Sequence, residues 1–179
     1  RKSFGFDEQD ILIGAVGRLS SSKAWDTLIQ AYQGVANKKK SKLVFFGNGS
    51  LEKKLKKIAS EEDRIQFRGF QDNIKDIYQI FDLLVCPSRF EPLPRVMLEA
   101  YDAGIPIFAS RTGGCAELID LYGGKSFEVG NIRQLQELLT DFINKPYEGD
   151  RPNLEEHHIE STNKAMVDFY RKCIVASLE

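Results

Sequence analysis

The sequence predicts an α/β fold, a doubly wound parallel sheet of about six strands with flanking helices and an extra C-terminal helix. Short apolar runs alternate along the chain with segments of helical periodicity, which is typical of repeated strand-helix units. Several runs are almost continuous in Val, Ile, Leu and Phe, as expected for strands that helices cover on both faces. The expected arrangement is Rossmann-like, with short right-handed crossovers between the parallel strands.

The strands and helices can be assigned in order from this alternation. The predicted strands are residues 11–16, 42–46, 65–68, 83–86, 107–109 and 126–129. The predicted helices are residues 25–35, 51–59, 74–81, 94–103 and 135–143, with one more short helix after the glycines at 113 and 114. We expect Ser50 to cap the second helix and Pro146 to stop the helix that ends at residue 143.

The chain divides into one domain and a tail. Its 179 residues can bury roughly 70% of the surface that the unfolded chain exposes, so residues 1–150 are expected to fold as one domain. After the turn-rich break near residue 150, residues 151–177 return to helical spacing, and we expect a helix that packs on the domain or bridges to a second one. The pair at residues 178–179 is expected to be a cloning remnant.

Composition argues against several classes of partner. Lys and Arg number 25 against 26 Asp and Glu, so the net charge of -1 favours neither nucleic acid nor an anionic membrane. The three cysteines lack the spacing of a metal site or a disulfide framework, which favours a cytoplasmic location. No apolar run approaches the ~20 residues of a transmembrane helix, so no transmembrane segment is expected.

Candidate functional residues should follow the strands, because ligands of an open parallel sheet bind beyond the carboxyl ends of its strands. Gly17 and Arg18 follow the first strand, with Lys23 a few residues further on. Gly permits a close backbone approach, and two cations near a helix start suit a diphosphate. Two solvated surface cations would give the same pattern, so both interpretations stay open at this point.

The loop after the fourth strand carries the most information. Glu91 lies in this loop, and Glu99 lies eight positions further on, within a largely apolar helix where a carboxylate needs a reason to be. One reason would be the two hydroxyls of a ribose, which a carboxylate can accept together. An ion pair between Arg95 and Glu99 at i, i+4 spacing, worth about 0.3–0.5 kcal/mol, explains the residue equally well.

Three other turns carry weaker signals. The Gly-rich turn at residues 47–50 and the turn at residues 69–72 could contact an anion or a base, but ordinary tight turns have the same composition. Gly113 and Gly114 precede a short helix, which would leave its first amides free to face a ligand, with Glu117 in the first turn.

In this order, the motifs resemble the C-terminal half of the group 1 retaining glycosyltransferases of the GT-B architecture, over nearly the whole chain. The most specific element is Glu91 and Glu99 with seven residues between them, followed by the helix-to-strand passage at residues 100–107. The supporting motifs are Gly17-Arg18-Leu19 with Lys23, Gly47-Asn48-Gly49, Phe67-Arg68-Gly69-Phe70, Cys86-Pro87-Ser88 and Thr112-Gly113-Gly114 before Glu117.

The resemblance implies that residues 1–150 bind a nucleotide sugar, with a glycosyl unit moving to an acceptor hydroxyl with retained anomeric configuration, in polysaccharide or glycolipid synthesis. It implies that Arg18 and Lys23 hold the donor diphosphate and stabilise the leaving group, that Glu91 contacts donor-sugar hydroxyls, and that Glu99 binds ribose. The other implied donor-binding residues are Gly17, Gly69, Phe70, Leu93, Arg95, Val96, Gly113 and Gly114.

The same resemblance carries expectations about cofactors and partners. The donor is expected to be a UDP- or GDP-sugar, and neither a metal nor another cofactor is implied, because the cations take the place of a metal. The family's N-terminal, acceptor-binding half is expected to be missing from this sequence, so the fragment should bind donor and transfer nothing. Any peripheral contact with a membrane is expected through that missing half.

Two places depart from the family's pattern. Residues 92–94 read Pro-Leu-Pro where the family has Gly and Phe-Gly, so two amide donors are lost, although the amides of Leu93, Arg95 and Val96 could still donate. Ala24 follows Lys23 where Gly is usual. These departures affect the expected phosphate geometry more than the expected function.

Two other functions stay open. One is an epimerase or another non-transferring protein that binds a nucleotide sugar with the same architecture; the spacing of Glu91 and Glu99 argues for a transferase. The other is an NAD-dependent oxidoreductase, against which the turn at residues 17–20 counts, since it reads Gly-Arg-Leu-Ser and not Gly-x-Gly-x-x-Gly.

Overall fold

The computed structural model describes residues 1–36, 38–149, 152 and 154, and within them six parallel strands form one sheet. The strands are β1 (Ile11–Val16), β2 (Ser41–Phe46), β3 (Ile65–Phe67), β4 (Leu83–Cys86), β5 (Ile107–Ser110) and β6 (Lys125–Phe127). Their order is β3-β2-β1-β4-β5-β6, the order of a doubly wound sheet whose direction of winding reverses between β1 and β4. The predicted fold class is confirmed, and the predicted strand ends differ from the observed ones by at most two residues.

Helices connect the strands and cover both faces of the sheet. They are α1 (Trp25–Gln33), α2 (Glu52–Ile58), α3 (Ile74–Tyr78), α4 (Arg95–Asp102), α5 (Gly113–Tyr122) and α6 (Ile132–Asn144). Short 3₁₀ turns lie at Lys2–Phe4, Ser21–Lys23 and Lys38–Lys40. The predicted Ser50 cap is wrong, because Leu51 occupies the N-cap of α2 and no side chain caps it. Asn131 does cap α6, accepting a hydrogen bond from the amide of Gln134 at 3.1 Å.

The core lies in two layers, one on each face of the sheet. Side chains alternate along β1, so Ile13 and Ala15 pack in the layer under α1, α2 and α6, whereas Leu12 and Val16 pack in the layer under α3, α4 and α5. All four are buried. Helices cover both faces of the sheet, so loops can meet a ligand at the carboxyl ends of the strands. This end of the sheet is called its carboxyl edge below.

The predicted tail is outside the described residues except for positions 152 and 154. Leu154 is partly buried and packs against the core layer that contains α4 and α5. The predicted helix at residues 151–177 and the cloning remnant at 178–179 stay predictions. None of the helices in the described ranges is both long and apolar enough to cross a membrane.

Candidate functional site

A cavity of about 730 Å³ lies at the carboxyl edge of the sheet, beside the point where the winding reverses between β1 and β4. It is formed by the ends of β1 and β2, the turn after β3, and the first turns of α4. Six of the predicted donor-binding residues line it: Gly17, Arg18, Phe70, Arg95, Val96 and Glu99. The structure therefore brings together residues that the sequence spreads over more than eighty positions.

A second cavity, of about 440 Å³, lies at the opposite edge of the sheet. Asp82, which precedes β4, and residues 104–106, which precede β5, form part of its wall. Its described lining holds the acidic residues Asp82 and Glu148 and no Lys or Arg. The carboxyl-edge cavity is lined by two arginines and one carboxylate, so it is the one whose charge suits an anion.

The loop after β1 is held by its neighbours. The indole Nε1 of Trp25 donates to the carbonyl of Arg18 at 2.9 Å, and the amide of Leu19 donates to the carbonyl of Asn48 at 3.0 Å. A Cβ at Gly47, where φ is +133°, would lie 2.1 Å from the carbonyl oxygen of Gly17. The glycine of this second turn is therefore explained by the close approach of two backbones, and no anion is needed to account for it.

The backbone conformation of Ala24 explains why glycine is usual at its position. It has a φ of +50°, the one positive value for a residue other than glycine among the described residues. It ends the 3₁₀ turn Ser21–Lys23 and begins α1. The left-handed conformation costs a residue with a Cβ roughly 1–2 kcal/mol, so Ala24 carries strain at the turn that presents Lys23.

Lys23 and Glu91 form an ion pair across the switch point, between the loops after β1 and β4. Their side chains are only 20% and 15% exposed. Neither residue lines the cavity directly, but a Cβ built on Gly17 would lie 3.8 Å from Cε of Lys23, so the lysine stem passes beside the cavity wall. The structure thus joins two residues that the sequence analysis assigned to separate parts of the ligand.

Arg89 ties the same two loops together, a role that is not apparent from the sequence. Its amide donates to the carbonyl of Ser22 at 2.7 Å, and its guanidinium donates to the carbonyl of Ser21 and to both carboxylate oxygens of Asp26. The hydroxyl of Thr112 donates in turn to the carbonyl of Arg89 at 3.2 Å. Because its partners at residues 21–26 lie more than sixty residues earlier in the chain, nothing in the local sequence identifies these hydrogen bonds.

Gly113 and Gly114 are the first two residues of α5 and pack against the loop after β4. A Cβ on them would lie 2.6 Å from the carbonyl oxygen of Glu91 and 2.2 Å from that of Pro92, respectively. The amide of Gly114 donates to the carbonyl of Glu91 at 2.9 Å. The expectation that both amides are free to face a ligand is therefore wrong for Gly114, because its amide holds the loop. Glu117 lies in the second turn of α5, not in the first as predicted.

The Pro-Leu-Pro segment changes which amides can face a ligand. Pro94 is the N-cap of α4, and the amide of Arg95 donates to the carbonyl of Leu93 at 3.0 Å. The expectation that this amide could donate to phosphate is therefore wrong. The amides of Leu93 and Val96 have no acceptor among the described residues. Arg95 instead presents its exposed side chain to the cavity.

Glu99 is held by a tyrosine and not by the arginine one turn earlier. The hydroxyl of Tyr78, at the end of α3, donates to Oε2 of Glu99 at 2.7 Å. The ion pair between Arg95 and Glu99 that the sequence left open does not form within the part of the chain that the structure describes. The contact of Tyr78 could not be recognised in the sequence, because its partner lies 21 residues away and its own position fits the apolar face of a short helix.

Two further predicted residues, Gly69 and Leu93, do not line the cavity. Gly69 has a φ of +69°, and its carbonyl accepts a hydrogen bond from the amide of Gly47 at 2.8 Å. This bond fixes the position of the turn that precedes Phe70. Phe70 and Leu93 are 67% and 51% exposed, which is unusual for large apolar side chains. The site therefore combines two arginines, one carboxylate held by a phenol, a neighbouring lysine-glutamate pair and an exposed aromatic ring.

Fold and site together define a class of protein: a Rossmann-like domain with a cavity at its switch point that is lined by two arginines and one carboxylate. The chain belongs to the family of group 1 glycosyl transferases, whose model matches residues 1–164. This membership bears out the resemblance inferred from the motifs and favours a transferase over an NAD-dependent oxidoreductase.

Individual relatives agree with the family. The chain is 34% identical over 124 residues to an uncharacterized glycosyltransferase of Methanocaldococcus jannaschii, covering 66% of this chain and 32% of that protein. It is 30% identical over 158 residues to the GDP-mannose-dependent monoacylated alpha-(1-6)-phosphatidylinositol monomannoside mannosyltransferase of Corynebacterium glutamicum, covering 82% and 41%. The structure of Anabaena HepE in complex with UDP and glucose is 25% identical, with a TM-score of 0.73, covering 81% of this chain and 41% of that one. The chain thus spans less than half the length of these relatives.

Proposed function

We propose that this chain is the donor-binding domain of a retaining glycosyltransferase that moves a glycosyl unit from a nucleoside diphosphate sugar to an acceptor hydroxyl. The observation that carries the proposal is the switch-point cavity, which is lined by Arg18, Arg95 and Glu99 together. Two cations against one carboxylate favour a ligand that is anionic and also offers hydroxyl groups. A nucleotide diphosphate sugar has both properties.

The diphosphate is assigned to Arg18 and Lys23. Arg18 is exposed at the cavity wall and can fork onto phosphate oxygens, and Lys23 can add a point charge from beside Gly17. Glu91 holds Lys23 in place, and its carboxylate can accept from the hydroxyls of the donor sugar. As the bond to the sugar breaks, negative charge grows on the departing diphosphate, and the preorganised cations stabilise it.

The nucleoside is assigned to the other end of the cavity. Glu99 would accept from the ribose hydroxyls, and the exposed ring of Phe70 offers a face to the base, with Gly69 setting the turn. The donor is assigned as a UDP- or GDP-sugar. This choice is supported by the UDP and glucose in the HepE complex and by the GDP-mannose dependence of the Corynebacterium relative.

The remaining parts of the enzyme are proposed from the pattern of the group 1 glycosyl transferase family. An acceptor-binding half of the same protein would complete the cleft, with an acceptor of polysaccharide or glycolipid synthesis, and this chain alone would transfer nothing. No metal or other cofactor is required, because the cations above supply the positive charge that a metal would bring. The cytoplasmic location and a peripheral membrane contact through the other half stay predictions.

A thermal-shift panel tests the proposal. The chain is heated with UDP, GDP, ADP, their sugar conjugates and NAD, each with and without EDTA, beside Glu99→Ala and a control, Glu137→Ala, on the exposed side of α6. At ligand ~100-fold above its dissociation constant, binding adds about 2.7 kcal/mol of stability, which raises Tm by several degrees.

The expected result is a shift with one nucleoside diphosphate that survives EDTA and Glu137→Ala and is lost in Glu99→Ala. A shift with NAD alone, or none with any nucleotide, contradicts the proposal. The epimerase alternative is separated in the complete enzyme, where it predicts conversion of the donor sugar without any acceptor.

A further inference from the structure

Tyr78 is a buried residue whose hydroxyl group reaches the candidate site. It is 3% exposed and packs in the core layer with Phe81, with the two rings edge to face at 6.4 Å between centroids. From this position its hydroxyl donates to Oε2 of Glu99 at 2.7 Å, the short length of a bond to a charged acceptor. Tyr78 therefore connects the core to the carboxylate that lines the cavity.

The direction of this bond is fixed. Burial, together with the hydrogen bond to Glu99, raises the pKa of Tyr78, so the phenol keeps its proton and acts as the donor. A carboxylate has about four lone-pair positions on its two oxygens. The bond from Tyr78 occupies one of them on Oε2, which leaves acceptor positions on Glu99 for a ligand.

An orienting bond of this kind matters because Glu is a flexible side chain. Fixing a free Glu costs rotamer entropy, which ligand binding must otherwise supply. No ion pair with Arg95 fixes Glu99 within the described residues. A contact that orders the carboxylate beforehand lowers the entropy cost of binding.

We infer that Tyr78 is a positioning residue that holds Glu99 in the orientation that recognises the two ribose hydroxyls of the donor nucleotide. The inference rests on the proposed function and adds a residue to it. Tyr78 does not touch the ligand, so its contribution depends on Glu99 and on the presence of the hydroxyls. A purely structural tyrosine would affect all ligands of the cavity alike.

Calorimetric titration of four proteins tests this dependence: the wild type, Tyr78→Phe, Glu99→Gln and Tyr101→Phe. Each is titrated with UDP, GDP and ADP and with the 2′,3′-dideoxy form of each. Tyr101 is the matched control, because it is also 3% exposed but its hydroxyl donates to the carbonyls of Leu118 and Gly123, away from the cavity. Melting temperatures of all four proteins show that each is folded.

We expect Tyr78→Phe to weaken binding of the ribonucleotide by about fivefold to tenfold and to leave the dideoxy form almost unchanged. The preference for the ribonucleotide over its dideoxy form should then fall in Tyr78→Phe and in Glu99→Gln alike. Tyr101→Phe should keep the wild-type preference. The inference is overturned if Tyr78→Phe retains the wild-type preference, or if it weakens both ligand forms equally. Absence of binding of all three nucleotides to the wild type overturns the proposed function, and the inference with it.

Discussion

The two ends of the candidate site are built differently. At the end assigned to the diphosphate and sugar, three loops are tied together by the Lys23–Glu91 ion pair, by Arg89, and by the contact of Gly114 with the loop after β4. At the end assigned to the base, Phe70 is 67% exposed. The difference indicates that the cationic end is ordered before a ligand arrives, whereas the aromatic end gains its packing from the ligand.

The largest effect is expected at the contact between α5 and the loop after β4. In Gly114→Ala the new Cβ would lie 2.2 Å from the carbonyl oxygen of Pro92, so the loop that carries Glu91 must shift. Overpacking of this kind costs about 2–3 kcal/mol, or a fall in Tm of roughly 5–10 °C. Calorimetry should record this fall, against about 1 kcal/mol for the control Gly5→Ala, which has a φ of +74° but open space around it. Equal losses in the two variants would show that the α5 contact is not tight.

Next in size is the loss of a cation at the ordered end. Lys23→Gln removes a phosphate-binding charge and leaves Glu91 without its partner, so affinity for a nucleoside diphosphate should fall tenfold to hundredfold. Titration with UDP and GDP measures this change. Lys56→Gln serves as the control, because Lys56 pairs with Glu52 on the surface of α2. An unchanged affinity in Lys23→Gln would mean that the diphosphate does not bind at this end.

A smaller effect is expected at the open end. Phe70→Ala should leave the unfolding free energy within about 0.5 kcal/mol of the wild type, because the ring is mostly exposed. Nucleotide affinity should fall by about fivefold, which corresponds to about 1 kcal/mol, the lower end of the range of about 1–3 kcal/mol that stacking on an aromatic ring is worth for a base. Inorganic pyrophosphate, which has no base, should bind both proteins equally. A loss of stability without a loss of affinity would reverse the comparison between the two ends.

The smallest effect is expected at the strained turn before α1. Ala24→Gly relieves a left-handed conformation but adds freedom to the unfolded chain, so the net gain in stability is about 0.5–1 kcal/mol. Chemical denaturation measures it. A destabilised variant would mean that the buried methyl group of Ala24 contributes more than the strain costs.

The fold could be predicted almost completely from the sequence, because strand and helix periodicities are local. The meeting of Arg18, Arg95 and Glu99 in one cavity was expected from the family resemblance, because their positions after strands of a parallel sheet left other interpretations open. The contacts of Arg89 and Tyr78 could not be predicted, since each joins residues that are distant in the sequence. The expectation of a free amide at Gly114 was wrong for the same reason: the sequence indicates a free helix start, but not the loop that packs on it.

Binding of a nucleoside diphosphate in the switch-point cavity is the property on which the proposed function depends. A crystal structure of the chain with the nucleotide that gives the largest thermal shift tests it directly. We expect the diphosphate between Arg18 and Lys23, with the ribose hydroxyls on Glu99 and the base beside Phe70. A nucleotide bound in the cavity at the opposite edge of the sheet, beside Asp82, would contradict it.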